Sequence, residues 1–172
     1  MSDHRQPVYQ GRIIQLGIES ITMPNGVSVE LEIVRHPGGA AIVALDSSNR
    51  VCLLRQYRHA AGGWIWELPA GKLEPGEPAE TTAARELTEE AGLQASRWDL
   101  LGRLIATPGF CDEIIHLFLA QDLTEVTSQP EVHELFEIHW VPFAAALEQV
   151  YDGTIFDAKT MLGLTLAAKA LG

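Results

Sequence analysis

The sequence predicts an α/β protein in which a mixed β-sheet is covered by helices on both faces, and three observations carry that reading. Short apolar, β-branched runs of strand length alternate with segments of helical periodicity. Gly, Pro, Asn and Asp turn signals separate them. A length of 172 residues with 47% apolar content suffices for one core and is short for two, so a single domain over residues 1–172 is expected.

The elements follow in order. "GRIIQLGIESITMPNGVSVELEIVRH" reads as two strands around the turn Pro24-Asn25-Gly26. "GGAAIVALDSSNRVCLLRQYR" gives two apolar runs separated by the polar turn Asp46 to Arg50, the second ending in Arg55, Gln56, Tyr57 and Arg58. "GGWIWELPAG" is a short strand closed by Pro69-Ala70-Gly71. In "GKLEPGE" a Gly/Pro loop leads to a helix with Pro78 at its first position, running to Ala91 and stopped by Gly92. "WDLLGRLIAT" and "EIIHLFLAQDL" are strands joined by the loop Pro108 to Asp112. After the polar loop "SQPEVHE" come a strand, "LFEIHWVPF", and two helices, "FAAALEQVYDG" and "DAKTMLGLTLAAKAL".

A formal charge of -11 argues against a nonspecific nucleic-acid or anionic-membrane surface, so an anionic ligand needs a local basic pocket or a bridging cation. The "MSDHRQPVYQ" start lacks an apolar signal region and no apolar run approaches the length of a membrane span, so a soluble, unprocessed chain is expected. Cys52 and Cys111 sit among apolar residues without metal-type spacing, which fits buried free thiols and a reduced cytoplasm.

One stretch resists a purely structural explanation. "RELTEEAGL" places Glu86, Glu89 and Glu90 in the last two turns of a helix, where the dipole favours cations. At helical spacing the three acids share one face beside the apolar stripe Ala83, Ala84, Leu87 and Ala91. Like-charge repulsion and the dipole together cost about 1–2 kcal/mol without a counter-charge. Arg85 alone cannot neutralise three carboxylates, and the helix has no Lys to make a solvated acidic face. A hard divalent cation such as Mg²⁺ or Mn²⁺ removes the cost, because it prefers several oxygen ligands and keeps waters that a phosphate can displace.

The stretch from Gly71 to Leu93 matches, without a miss, the Nudix box G-x5-E-x7-R-E-U-x-E-E-x-G-U (U aliphatic), through Gly71, Glu77, Arg85, Glu86, Leu87, Glu89, Glu90, Gly92 and Leu93. "RQYR", "WELPAG", the proline 15 residues past the box at Pro108 in "TPGFCDE", and "ELFEIHWVP" resemble the ADP-ribose pyrophosphatase branch of the family. The resemblance implies the Nudix fold, an α/β/α sandwich around a mixed β-sheet. It also implies metal-dependent hydrolysis of the pyrophosphate bond of ADP-ribose to AMP and ribose 5-phosphate. GDP-mannose hydrolysis is an alternative within the same frame, and a non-catalytic ADP-ribose-sensing module is another, disfavoured by the complete box.

Residue roles follow from the resemblance. Glu86 and Glu90 are the expected direct metal ligands, Glu89 a third ligand or a carboxylate acting through water, and the Ala70 carbonyl completes the shell. Arg85 belongs to the catalytic set as the partner of Glu77 that holds the box together. The general base is a glutamate in the loop before the late strand, which aligns best with Glu134, with Glu131 as runner-up. Substrate contacts are expected from Arg58, with Arg55 as its alternative, from Glu67 on the nucleoside side, and from Pro108. The resemblance further implies a homodimer in which the N-terminal strand region, residues 1–35, crosses to the partner. Of Trp64 and Trp66, one is expected in the core and the other at an interface or on a base, with structural packing the default for both.

Overall fold

The structure, a computed structural model, describes residues 4–128 and 135–172. The chain divides into two compact units, one reaching from the N-terminal strands to Gly38 and taking in 105–114, the other formed by 39–104 and 115–172.

In the first unit, β1 (His4–Gln10), β2 (Gln15–Thr22) and β3 (Ser28–Arg35) form an antiparallel meander in that order. The expected hairpin is present, and the Asn25 side chain closes its turn by accepting from the Val27 N–H at 3.1 Å. The additional strand β1 was hidden in sequence by Pro7, which cannot donate to a ladder. The structure accommodates Pro7 on an edge strand, next to a register shift between Pro7 and Tyr9. The segment 106–113 docks on the end of β3 through Val34 N–H to Phe110 O (2.7 Å) and Asp112 N–H to Val34 O (3.2 Å). Arg35 bridges Asp112 and the buried Glu19.

In the second unit the elements are β4 (Gly39–Ala44), β5 (Arg50–Arg58), a single 3-10 turn (His59–Ala61), β6 (Gly63–Glu67), β7 (Ala70–Lys72), α1 (Ala79–Ala91) and β8 (Leu93–Ile105). They continue with β9 (Ile114–Glu125), β10 (Phe136–Pro142), α2 (Phe143–Tyr151) and α3 (Ala158–Leu171), and β8 and β9 each run one residue into the first unit. β4 is antiparallel to β7 and parallel to β9, which makes the sheet β7-β4-β9-β8 mixed as expected. The other strands form a separate antiparallel sheet, β10-β5-β6.

β4 explains the layering. All six of its residues are buried, the mark of a strand covered on both faces. Ala40, Ile42 and Ala44 pack with Ala83 and Leu87 of α1. Ala41 and Val43 belong to the opposite cluster, with Phe143 and Ala146 of α2 and Leu164 and Ala167 of α3. This is the α/β/α sandwich that the sequence predicts.

Two details of α1 bear on the site. Pro78 is the N-cap rather than the first helical residue: its ψ of 144° is extended, and its carbonyl accepts from the Thr82 N–H at 3.1 Å. Gly92 ends the helix at φ 64°, the left-handed conformation expected of a C-terminal stop.

Candidate functional site

The site is organised around the segment Glu67–Gly71, which leaves β6 and enters β7. Each residue from Glu67 to Ala70 is tied to a different part of the second unit. The Glu67 carboxylate is engaged by Arg58 and Lys159, and the Leu68 N–H donates to Thr160 Oγ1 at 2.9 Å. The Pro69 carbonyl accepts from the Ile42 N–H at 2.9 Å, and the Ala70 N–H donates to Glu90 Oε2 at 2.8 Å. A segment held by its side chain at Glu67 and by its backbone at Leu68, Pro69 and Ala70 is a firm platform.

The last turns of α1 deliver acids to that platform. Glu90 is 1% exposed and Glu86 is 9% exposed, an unusual depth for carboxylates. Glu86 comes so close to the turn that a Cβ added to Gly71 would lie 1.9 Å from its Oε1 and 2.0 Å from its Cδ, so Gly71 is the residue that admits it. Glu86 and Glu90 therefore converge on the dipeptide Ala70-Gly71.

Arg85 binds more carboxylates than the sequence reading gives it. Its Nε and Nη2 donate to Glu77 at 3.3 and 3.1 Å, as expected, and Nη1 donates to Glu86 Oε1 at 2.7 Å and to Glu89 Oε2 at 3.0 Å. Glu77 also accepts from the Thr82 hydroxyl at 2.7 Å. These bonds, Arg85 first and Thr82 second, hold the Glu77 carboxyl at about 2 against its ordinary 4.5, and the bonds of Arg85 to Glu77 first, then to Glu86 and Glu89, raise the guanidinium. Cys52 is pushed up to about 12, by burial first and by the charge of Glu90 second, so it stays a thiol.

The donor set fits a hard divalent ion. Glu86, Glu89 and Glu90 offer carboxylate oxygens beside a backbone turn, with no sulfur or imidazole among them. Among the described residues no three acidic, imidazole or thiol groups close into a finished ligand cluster, and Arg85 bridges Glu86 and Glu89.

The expected substrate contacts separate. Arg55 and Arg58 stand three apart on β5 and therefore face opposite sides of the sheet. Arg55 lies over the Trp64 ring, 5.7 Å from its centroid, with Glu137 at 3.8 Å. Arg58 donates from Nε to Glu67 Oε2 at 2.7 Å. The two candidates thus occupy different surroundings, Arg58 beside Glu67 and Arg55 between Trp64 and Glu137. Glu67 is 3% exposed between Arg58 and Lys159, which is the environment of a carboxylate that orients other side chains. Trp66 packs against the core while Trp64 is exposed beside Tyr57. Pro108 lies in the first unit, in a turn where the N–H groups of Phe110 and Cys111 donate to the Thr107 carbonyl. Glu134 and Glu131 lie outside the described residues. The sequence reading missed Thr82, Asp157, Lys159 and Thr160. Only the Asp157-to-Thr160 capping spacing could have flagged any of them.

Comparison with known proteins bears on this geometry. Residues 35–162 match the NUDIX domain model. An ADP-ribose pyrophosphatase of Mycobacterium tuberculosis (strain H37Rv) is 42% identical over 163 residues, covering 92% of this chain and 78% of that protein. An ADP-ribose pyrophosphatase of Bacillus subtilis (strain 168) is 37% identical over 158 residues, covering 91% and 85%. Among solved structures, an ADP compounds hydrolase superposes with a TM-score of 0.85 at 22% identity, covering 99% of this chain and 93% of that one, which shows the shared fold. The complete box, the mixed-sheet sandwich and these similarities lead to one conclusion: the chain belongs to the Nudix family.

Proposed function

We propose that this chain is a pyrophosphohydrolase that cleaves ADP-ribose with water to AMP and ribose 5-phosphate, using Mg²⁺, with Mn²⁺ as a substitute. The observation that carries the reading is the convergence of the buried Glu86 and Glu90 on Ala70-Gly71, in a chain similar over nine-tenths of its length to ADP-ribose pyrophosphatases. Glu86, Glu90 and the Ala70 carbonyl would hold the metal, with Glu89 a third ligand or a carboxylate acting through water. When bound, such a metal offsets the charge that develops on the bridging oxygen and lowers the pKa of a water. Arg85 keeps the box carboxylates in place from Glu77. Arg58 orients a phosphate by its guanidinium.

Glu134, with Glu131 as runner-up, takes the proton of the attacking water. Glu134→Gln is expected to lower kcat by about 10²–10⁴ with KM little changed; an unaltered kcat moves the role to Glu131. The N-terminal region forms a homodimer, supported by Val8, Tyr9, Ile13 and Val27, each more than half exposed on the strands and loops of the first unit. A monomer by light scattering at working concentration overturns the dimer. The free thiols Cys52 and Cys111 fit a reducing compartment, the cytoplasm. No helix among the described residues is long and apolar enough to cross a membrane.

The deciding experiment is a side-by-side kcat/KM panel of ADP-ribose, GDP-mannose, UDP-glucose, NADH and dinucleoside polyphosphates with Mg²⁺ or Mn²⁺. A preference for ADP-ribose supports the proposal, a preference for GDP-mannose reassigns the substrate, and binding without turnover makes the chain a sensor.

A further inference from the structure

Lys159 belongs to none of the motifs that mark the site, yet it reaches the carboxylate of Glu67 across 92 residues of sequence. Its side chain is 11% exposed, and that of Glu67 is 4% exposed. The lysine is set by the first turn of α3. Asp157 caps that turn, and its Oδ2 accepts from the Thr160 N–H at 3.0 Å, the Thr160 hydroxyl at 2.6 Å and Lys159 Nζ at 3.0 Å. Thr160 in turn holds the Leu68 N–H. One helical turn therefore fixes both the ammonium and the strand end that carries Glu67.

The two oxygens of Glu67 are divided between two cations, Lys159 on Oε1 and Arg58 Nε on Oε2. A guanidinium beside a lone carboxylate favours a two-pronged fork on both oxygens. With Oε1 occupied by the ammonium, Arg58 is held by Nε, and among the described residues no hydrogen bond engages its terminal nitrogens. Those nitrogens are the donors that a phosphate requires.

We propose that Lys159 is a positioning residue for substrate binding. By occupying Glu67 Oε1 it prevents Arg58 from closing its fork on Glu67 and keeps the terminal guanidinium nitrogens for a phosphate of the substrate. The proposal rests on the reading of Arg58 as a phosphate contact. Removing the ammonium lets Arg58 collapse onto Glu67, which weakens binding and leaves the box carboxylates in place.

A double-mutant cycle with ADP-ribose as substrate tests this. Lys159→Met is expected to raise KM about tenfold, the worth of one charge-assisted hydrogen bond, with kcat within about twofold of the parent. Lys159→Arg, which keeps a cation on Glu67, is expected to recover most of that loss. In an Arg58→Ala background Lys159→Met is expected to have no further effect on KM, because the group through which it acts is gone. If Arg58→Ala raises KM and Lys159→Met does not, the proposal fails while the Arg58 reading stands. Multiplying effects in the double variant also overturn it, since they make Lys159 a separate structural contributor. An unchanged KM in Arg58→Ala removes the Arg58 reading itself. Should Lys159→Met not fold, Lys159→Gln carries the same arms.

Discussion

The last turns of α1 and the first turn of α3 both press charged groups against the same platform, and they do so with opposite accounting. At α1, Glu77, Glu86 and Glu89 share the guanidinium of Arg85, while the buried Glu90 is met by the Ala70 N–H. At α3, Glu67 and Asp157 meet Arg58 and Lys159, two carboxylates against two cations. Ion pairs at low exposure are tolerated when each charge is matched and hydrogen-bonded, so the carboxylates of Glu67 and Asp157 are satisfied here, while Arg58 is engaged by Nε alone and, in the reading proposed above, turns its terminal nitrogens to the substrate. At the α1 end three carboxylates, those of Glu77, Glu86 and Glu89, converge on one guanidinium, and in the reading proposed above a divalent cation would share that cluster of acids.

The largest expected effect comes from removing the charge of the most deeply buried carboxylate of α1, Glu90. Glu90→Gln keeps an oxygen for the Ala70 N–H and deletes the charge. Turnover at saturating Mg²⁺ is expected to fall by on the order of 10³-fold. Ligand binding to the native state raises stability by mass action, so Mg²⁺ should raise the parent's Tm, and the shift should shrink or vanish in Glu90→Gln. Full turnover in the variant, measured in the ADP-ribose assay, ends the assignment of Glu90 as a metal ligand.

A second variant shifts a carboxylate and preserves its charge. Gly71→Ala places a methyl group 1.9 Å from the present position of Glu86 Oε1, so that side chain must move. A displacement of about 1 Å at a reacting centre costs about 10²-fold in rate, and kcat is expected to fall by that order. The Mg²⁺-induced rise in Tm should weaken in parallel. If kcat is unchanged, the convergence of Glu86 on Ala70-Gly71 does not matter to catalysis.

What the sequence made legible was local. The apolar run of β4, the Gly92 stop, the layered fold and the pairing of Glu77 with Arg85 all rest on periodicity or motif spacing within one stretch. β7, three residues long, has too little pattern to be read, and β1 was masked by Pro7. Arg55 was separable from Arg58 in principle, because residues three apart on a strand face opposite ways. The partnership of Glu67 with Lys159 had no such signal, since it depends on where the sandwich sets the first turn of α3. The resemblance marks Glu67 as a nucleoside contact, and in the structure its carboxylate lies between two cations, Arg58 and Lys159.

The smallest effect distinguishes the clip within the α1 cluster from the cation site proper. Glu77 shares Arg85 with Glu86 and Glu89, yet its carboxyl is held at about 2, first by Arg85 and then by Thr82, against 4.5 in an unstructured chain. The folded state therefore binds this proton less tightly than the unfolded state. The resulting stability is fully present above pH 4.5 and is lost as pH falls through about 2. Glu77→Gln is expected to flatten the pH dependence of the urea midpoint across that window. A clip that is not a metal ligand should leave the Mg²⁺-induced Tm rise at neutral pH intact in the same variant. Loss of that rise, with the pH slope unchanged, would make Glu77 part of the proposed cation site rather than a clip beside it.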